Sequence, residues 1–401
     1  MTKIICCGSN RLSQLPTNDG ANDLKDGFQI ISKPQEYAFK EDIISFSTYH
    51  LHSLDINKAG QVYQLGSTDP EICFQIPIQE REPNERKEIQ IIDDEKIIRE
   101  VISVVCGYCY SLFLVQDTKG AENDIEAINV LAYYYNTQGC KIDQNDTPIF
   151  YEAQNVNPIA LYGGWKISAA IDKNDQILIF IPSKSPSKIP LVISFPLNYI
   201  ENKDYPYSIA CLESSLIILT TKNNVVEYKL DQNEDEEAFQ PINLGITEKI
   251  IQISGTYKHC FLVTENHVYG RGNNNCGQLG LGKITNENKN VEEFIEIKEL
   301  RGKKIKAAYA GFNHSIFKTE GGEIYVCGSN SHGQLFLNDM TIKYLDTPQK
   351  VPNINKVSFC VAGDCSSVAL IKGEDRNWPN KNYENILFHP PRRRKKIEND
   401  D

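Results

Sequence analysis

The chain has 401 residues, with 42 Lys and Arg against 53 Asp and Glu, for a formal net charge of −11. That acidic balance argues against a general nucleic-acid binder, which needs a clustered basic surface, so nucleic acid is not expected as a partner. At 40% hydrophobic and 24% charged the composition reads as a soluble globular protein, with no run near the roughly 18 apolar residues of a membrane span. The opening MTKIICCGSNRLSQLP turns polar at once and lacks an apolar core of signal-peptide length. Twelve cysteines without a secretion signal point to free thiols in a reducing compartment. The expected location is intracellular and cytoplasmic.

Two patterns alternate along the chain. One is a turn, first met as IICCGSNRLSQLPTN at 4–18 and repeated as VYGRGNNNCGQLGLG at 268–282 and IYVCGSNSHGQLFLN at 324–338. The other is a small-residue strand, a turn and an apolar strand. In chain order it reads IISFSTYHLHSLDI (43–56), VISVVCGYCYSLFLV (101–115), PIALYGGWKISAAI (158–171), YSIACLESSLIIL (207–219), IIQISGTYKHCFLV (250–263), IKAAYAGFNHSIFK (305–318) and VSFCVAGDCSSVALI (357–371). Aligned, the seven copies place one position at His52, Tyr110, Ile167, Ser215, His259, His314 and Ser366. The period of about 52 residues signals a propeller, solenoid or array, and the short Ile-, Val-, Tyr- and Cys-rich segments exclude helical repeats.

Strands such as SLIIL and VISVV are apolar without alternation, as expected where both sheet faces are covered. Small residues cluster at the first turn, where blades converging on an axis leave no room for large ones. The N-terminus begins in the middle of a unit, and the last strand pair lacks its following strand. These features predict an all-β fold over residues 1–375: a seven-bladed β-propeller closed by pairing residues 3–8 with residues 357–371, which removes two exposed edges. The propeller is expected to be monomeric. Residues 376–401 form an extension with a basic end that is expected to be disordered.

The stretch GRGNNNCGQLGLGK at 270–283 ends in Gly-Lys, which raises a phosphate cradle. Gly277, Gly282 and Lys283 fit the P-loop spacing, but Ile284 replaces the required hydroxyl and no amphipathic helix follows. The copies give the plainer reading. Gly8 precedes Asn10, Gly272 precedes Asn274 and Gly328 precedes Asn330, each by two residues, with Gln-Leu four residues on. Gly permits positive φ, Asn closes a turn with its own side chain, and Leu packs on a neighbour. Gly8, Asn10, Gly272, Asn274, Gly277, Gln278, Gly328, Asn330, Gly333 and Gln334 are therefore read as repeat-turn residues.

These turns, with SGTYKHCFLV and AGFNHSIFKTEGGEIYVCGSNSHGQL, resemble the regulator-of-chromosome-condensation repeat family. The likeness is strongest in the sixth and seventh repeats. It implies a seven-bladed propeller whose ring is closed by strands from both chain ends. The founding member catalyses nucleotide exchange on the small GTPase of nuclear transport and docks on nucleosomes, while many relatives are regulatory or scaffolding propellers. The family's Trp before the turn glycine is replaced here by Leu65, Cys7, Arg271 and Cys327, and Ser13 replaces a turn glycine in the first repeat. No stretch matches the exchange-active wedge loop.

Other constellations read as structural. His259 and His314 are copies one repeat apart, a pattern of hydrogen-bonded structure rather than of catalysis. Cys106 with Cys109, and Cys360 with Cys365, lie in core strand–turn–strand segments two or more blades apart, so no metal site and no cofactor is expected. Three insertions, at 80–88, 117–127 and 136–157, offer long loops for recognition. The last carries Ile149, Phe150 and Tyr151, as an apolar contact or, the preferred reading, a strand of its own blade. The acidic run with Asp231, Glu234, Asp235, Glu236 and Glu237 is either a solvated loop or a recognition loop for a basic partner surface. Trp378, Ile386, Leu387 and Phe388 in the extension are apolar enough to dock on the propeller. Arg392, Arg393, Arg394, Lys395 and Lys396 are a candidate nuclear-import signal. The expected function is recognition of a protein partner by a non-catalytic, regulatory or scaffolding propeller. The alternative is a guanine-nucleotide exchange factor, with a small GTPase as partner.

Overall fold

The computed structural model describes residues 2–10, 14–16, 23–25, 28–49, 52–66, 87–89, 92–93, 96–97, 100–108, 110–117, 127–134, 150–152, 158–181, 191–230 and 239–371. The candidate acidic run at 231–237, the basic residues 392–396 and the extension 376–401 lie outside them. So do Ile149, Cys109, Ser13 and most of the three insertions.

Six four-stranded antiparallel meanders follow one another along the chain. Their inner strands are Ile43–Tyr49, Glu100–Cys106, Pro158–Tyr162, Pro206–Cys211, Ile250–Thr256 and Ile305–Ala310. A further, five-stranded sheet joins the two ends of the chain. Its inner strand Val357–Ala362 pairs with Ser366–Ile371, which pairs with Lys3–Ser9, and this pairs with Phe28–Ala38. The register across the seam runs from Lys3 opposite Ile371 to Gly8 opposite Ser366. Each inner strand packs on the next, and Val357–Ala362 packs back on Ile43–Tyr49. The protein is thus an all-β propeller, with one short α-helix among the described residues, at Leu197–Glu201, and a 3-10 turn at Lys298–Leu300.

Every inner pair carries an irregularity at the same place. The register slips between Ile43 and Ser45, and again at Val101/Ser103, Pro158/Ala160, Pro206/Ser208, Ile250/Gln252, Ile305/Ala307 and Val357/Phe359. A bulge adds local twist to the strand that carries it. Its recurrence shows that the copies share backbone geometry even where their residues differ.

The core lies between sheets. All residues of His52–Asn57, Ser168–Asp172, Ile177–Phe180, Ser215–Thr220 and His259–Thr264 are buried, which explains their lack of alternation. Burying each of Leu216, Ile217, Ile218 and Leu219 stabilises the fold by about 1.5–3 kcal/mol relative to exposure.

Two details sharpen the repeat reading. The third copy aligns on Ile167, since Pro158 at its register slip lies nine residues before it, as Ile43 lies before His52, Val101 before Tyr110 and Ile305 before His314. Phe150–Glu152 is the outer strand of the second sheet, pairing with Ala127–Tyr134, so the strand reading of that insertion holds for Phe150 and Tyr151.

Candidate protein-interaction face

The repeat turns set the front of the ring. Asn10 Oδ1 accepts the Leu15 amide at 2.8 Å, Asn274 Oδ1 that of Leu279 at 2.9 Å, and Asn330 Oδ1 that of Leu335 at 3.0 Å. The Gln278 and Gln334 side chains accept the amides of Cys276 and His332, each at 2.9 Å. Gly8, Gly272 and Gly328 have φ of 106°, 108° and 95°. A Cβ there would lie 2.3, 2.1 and 2.5 Å from the carbonyl oxygens of Cys365, Lys258 and Asn313. Only glycine allows that approach. Gly277 and Gly333 press on the neighbouring sheet at Asp346 and Ser32. The segment after Lys283 leads into the strand Asn290–Glu296, not into a helix.

Histidine–serine pairs lie between adjacent sheets. His52, His259 and His314 Nε2 reach the hydroxyls of Ser111, Ser315 and Ser367 at 2.7, 3.0 and 2.9 Å. In the second sheet Tyr110 takes the same role, its hydroxyl 2.8 Å from that of Ser168. The spacing would suit a nucleophile and its base, but the protons run the other way. Ser315 Oγ donates to the Gln278 carbonyl at 2.7 Å, so His259 Nε2–H must be the donor to Ser315. Burial holds His259 down at about 3 and His314 at about 4. These pairs cross-link the ring. Burial likewise pushes the thiols of Cys6, Cys106, Cys211, Cys260 and Cys360 up to about 12, which leaves them protonated. Cys106 and Cys360 sit on inner strands of different sheets, and Cys365 on a hairpin.

The position of the family Trp is buried as Cys7, Cys327 and Leu65. Arg271 instead pairs with Glu227 of the preceding sheet at 2.8 Å, with side chains 20% and 13% exposed. Ser215 Oγ donates to the other oxygen of that carboxylate at 2.9 Å.

The inner hairpin tips converge over the axis on the same front. Behind them a channel of about 180 Å³ is lined by Ser47, Val105, Gly163, Ser254, Ala310 and Val361, among others. This is below the roughly 300 Å³ at which ligand pockets begin. The tips are stitched together by backbone bonds from Tyr108 N to Trp165 O, Glu213 N to Tyr257 O and Phe312 N to Gly363 O. Above the channel, Tyr257 and Phe312 stack with centroids 4.0 Å apart, and Trp165 meets Tyr257 edge-on at 4.7 Å. Trp165 also meets Phe312, three sheets away, at 5.8 Å. Gly164 permits this approach: a Cβ there would lie 2.7 Å from Cys211. Tyr257 holds φ at 51°, a strained choice for a bulky side chain.

Charge surrounds the rings. Lys166 Nζ lies 4.0 Å above the Trp165 ring and Lys258 Nζ 4.9 Å above that of Tyr257. Both ammonium groups approach Glu213, at 3.6 and 3.2 Å. The hydrogen bond to Glu213 raises the Lys258 pKa. This half-buried aromatic cap, rimmed by two lysines and a carboxylate, was not singled out in the sequence. The signal was there: aligned hairpin tips read GYC, GWK, TYK and GFN.

A family model described as the regulator of chromosome condensation (RCC1) repeat matches residues 305–334, one hairpin tip with its turn. Residues 305–334 thus match one RCC1 repeat. RCC1-repeat relatives include the human X-linked retinitis pigmentosa GTPase regulator, 40% identical over 128 residues, 30% of this chain and 12% of that protein. A human RCC1-like G exchanging factor-like protein is 27% identical over 149 residues, 36% of this chain and 32% of that one. The chain therefore spans a third or less of the length of these relatives. Among solved structures, the RCC1-type propeller Prp20p from Saccharomyces cerevisiae superimposes with a TM-score of 0.68 at 16% identity. That match covers 93% of this chain and 92% of Prp20p, a protein described with its binding to Gsp1p and histones. Human WBSCR16 gives 0.68 at 15% identity, covering 94% and 100%. At these identities the two structures establish the fold alone.

Proposed function

We propose that this chain is a seven-bladed ring, the five-stranded seam sheet being its seventh blade, and that it works as a non-catalytic regulatory or scaffolding propeller. It binds a protein partner on the front face. The observation that carries this reading is the cap of Trp165, Tyr257 and Phe312. Large aromatics, half-buried, strained at Tyr257 and flanked by lysines, are the residue types that anchor interfaces. The ring beneath them is stiff and fixes their positions. The residues Asp231, Glu234, Asp235, Glu236 and Glu237 belong to the proposed recognition surface as a second, acidic element, and Arg392–Lys396 remain a candidate import signal.

Two of the relatives favour a small GTPase as the partner, a GTPase regulator and an exchanging factor, and Prp20p is described with Gsp1p. Exchange needs no general base; it needs tighter binding to the nucleotide-free GTPase than to the loaded one. The test is a panel of small GTPases loaded with fluorescent GDP. Binding without faster release supports the scaffold, and faster release supports the exchange factor. In either case Trp165→Ala weakens the interaction at least about tenfold, the loss of one aromatic anchor. If the native protein recovers no stoichiometric partner and binds no GTPase, the front-face proposal fails.

A further inference from the structure

On the outer rim, between the sixth sheet and the seam sheet, lies a groove of about 520 Å³ that the front face does not use. Ile5, Pro34, Leu337, Pro352 and Ile354 line it, with Lys33 exposed at its edge. One wall is the Phe28–Ala38 strand, and the other is formed by the segments around 336–338 and 352–354. The wall after the Gln334–Leu335 turn breaks the repeat pattern. Where the preceding copy has Gly280 and Gly282, with φ of 68° and 87°, this one has Phe336 and Asn338 at 57° and 53°. A left-handed backbone disfavours any residue with a Cβ. Phe336 is buried all the same, and it brings Leu337 to the groove. Apolar bulk has been placed here against the preference of the backbone.

The Ser366–Ile371 strand ends at this corner. Ile371 pairs with both Lys3 and Val357, Ile5 pairs with Glu36, and Ile354 lies three residues before Val357. From the Ser366–Ile371 strand, the Phe28–Ala38 wall is two strand spacings away, about 10 Å. Residues 372–401 follow Ile371, and their first aromatic is Trp378, next to Pro379. Seven extended residues reach about 24 Å, ample for that distance. Glu36 also lines the groove but is paired with Lys3 at 2.6 Å, and Glu374 and Asp375, which precede Trp378, are opposite in charge to Lys33.

The geometry points to residues 374–379 of this same chain as the occupant of the groove. Trp378 and Pro379 seat against Leu337, Pro352 and Ile354, with Glu374 and Asp375 beside Lys33. The extension then straps the sixth sheet to the seam sheet.

The protein has two tryptophans, Trp165 and Trp378, so full-length Trp165→Phe reports on Trp378 alone. The expected result is blue-shifted emission and iodide quenching several-fold weaker than in a free 372–401 peptide. Adding Leu337→Asp returns both to the peptide values. As a second measurement, Trp378→Ala in the full chain speeds amide exchange at 33–36 and 352–354, whether or not the Leu337 variant folds. The inference is overturned if Trp378 is as exposed as in the peptide. It is equally overturned if its protection survives Leu337→Asp, if protection disappears on dilution as for a second copy, or if exchange at the groove ignores Trp378→Ala.

Discussion

The fifth and sixth sheets and the second to fourth sheets share one backbone plan, recurrent bulge included, yet their sequences encode it differently. Between 250 and 350 the plan is written in turn chemistry: Gly272 and Gly328 where a Cβ would strike a carbonyl, Asn274 and Asn330 closing turns, Gln278 and Gln334 tying them down. From 100 to 242 no Gly-x-Asn with a following Gln-Leu exists. There the sheets rest on strands buried on both faces, such as Ile177–Phe180 and Ser215–Thr220, and on tyrosine links, from Tyr110 to Ser168 and from Tyr162 to the Tyr207 carbonyl. A glycine demanded by a backbone clash has few substitutes. A buried aliphatic has many, since volume-conserving swaps are tolerated. The first region therefore keeps a readable motif and the second keeps only a pattern.

The contrast can be broken most sharply at Gly272. Gly272→Ala should destabilise by about 4 kcal/mol or more, because left-handed strain adds to a backbone collision. The control is Gly245, also left-handed at φ 59° but with nothing near its Cβ position, where alanine should cost about 1 kcal/mol. Urea midpoints for the two variants measure the difference. If they match, the close approach is not what selects glycine.

Next in size is Arg271→Ala. It leaves Glu227 largely buried without its cation and should cost about 3 kcal/mol, read by the same titration. The histidine cross-links come third and show themselves through pH. In the unfolded chain His259 titrates near 6.5, whereas in the fold burial holds it at about 3. Above pH 6.5 both states are neutral and stability is independent of this group. Below 6.5 the unfolded chain takes up a proton that the fold refuses. Stability should therefore fall by about 2 kcal/mol per histidine at pH 5, continuing toward the folded pKa. His259→Gln should flatten that fall by one histidine's share. An unchanged slope would mean that His259 is not buried as a neutral cross-link. The smallest effect belongs to the rim: Lys258→Ala should change stability by less than about 0.5 kcal/mol while weakening partner capture.

Much of the ring was legible for a physical reason. The repeat period, the small inner residues and the half-units at the chain ends each follow from closing a sheet array around an axis. The third copy is readable at Ile167 although Gly163-Gly164-Trp165 is a weak landmark, because the nine residues from Pro158 to Ile167 keep the spacing of the other copies. The front cap went unread because its aromatics lie 55 to 147 residues apart and are joined only by ring closure. Tyr257 shows no sign in sequence of its left-handed backbone. Arg271 was noted as a missing Trp, but its partner Glu227 sits 44 residues away on the preceding sheet.

The seam between Lys3–Ser9 and Ser366–Ile371 also sets an order of events in the cell. Lys3–Ser9 hydrogen-bonds to a strand translated more than 350 residues later, so this pairing must wait for the six sheets between them to be made. Contacts of such sequence separation form slowly. Until then the Lys3–Ser9 strand presents a bare edge, and its shielding during synthesis falls to other parts of the cell.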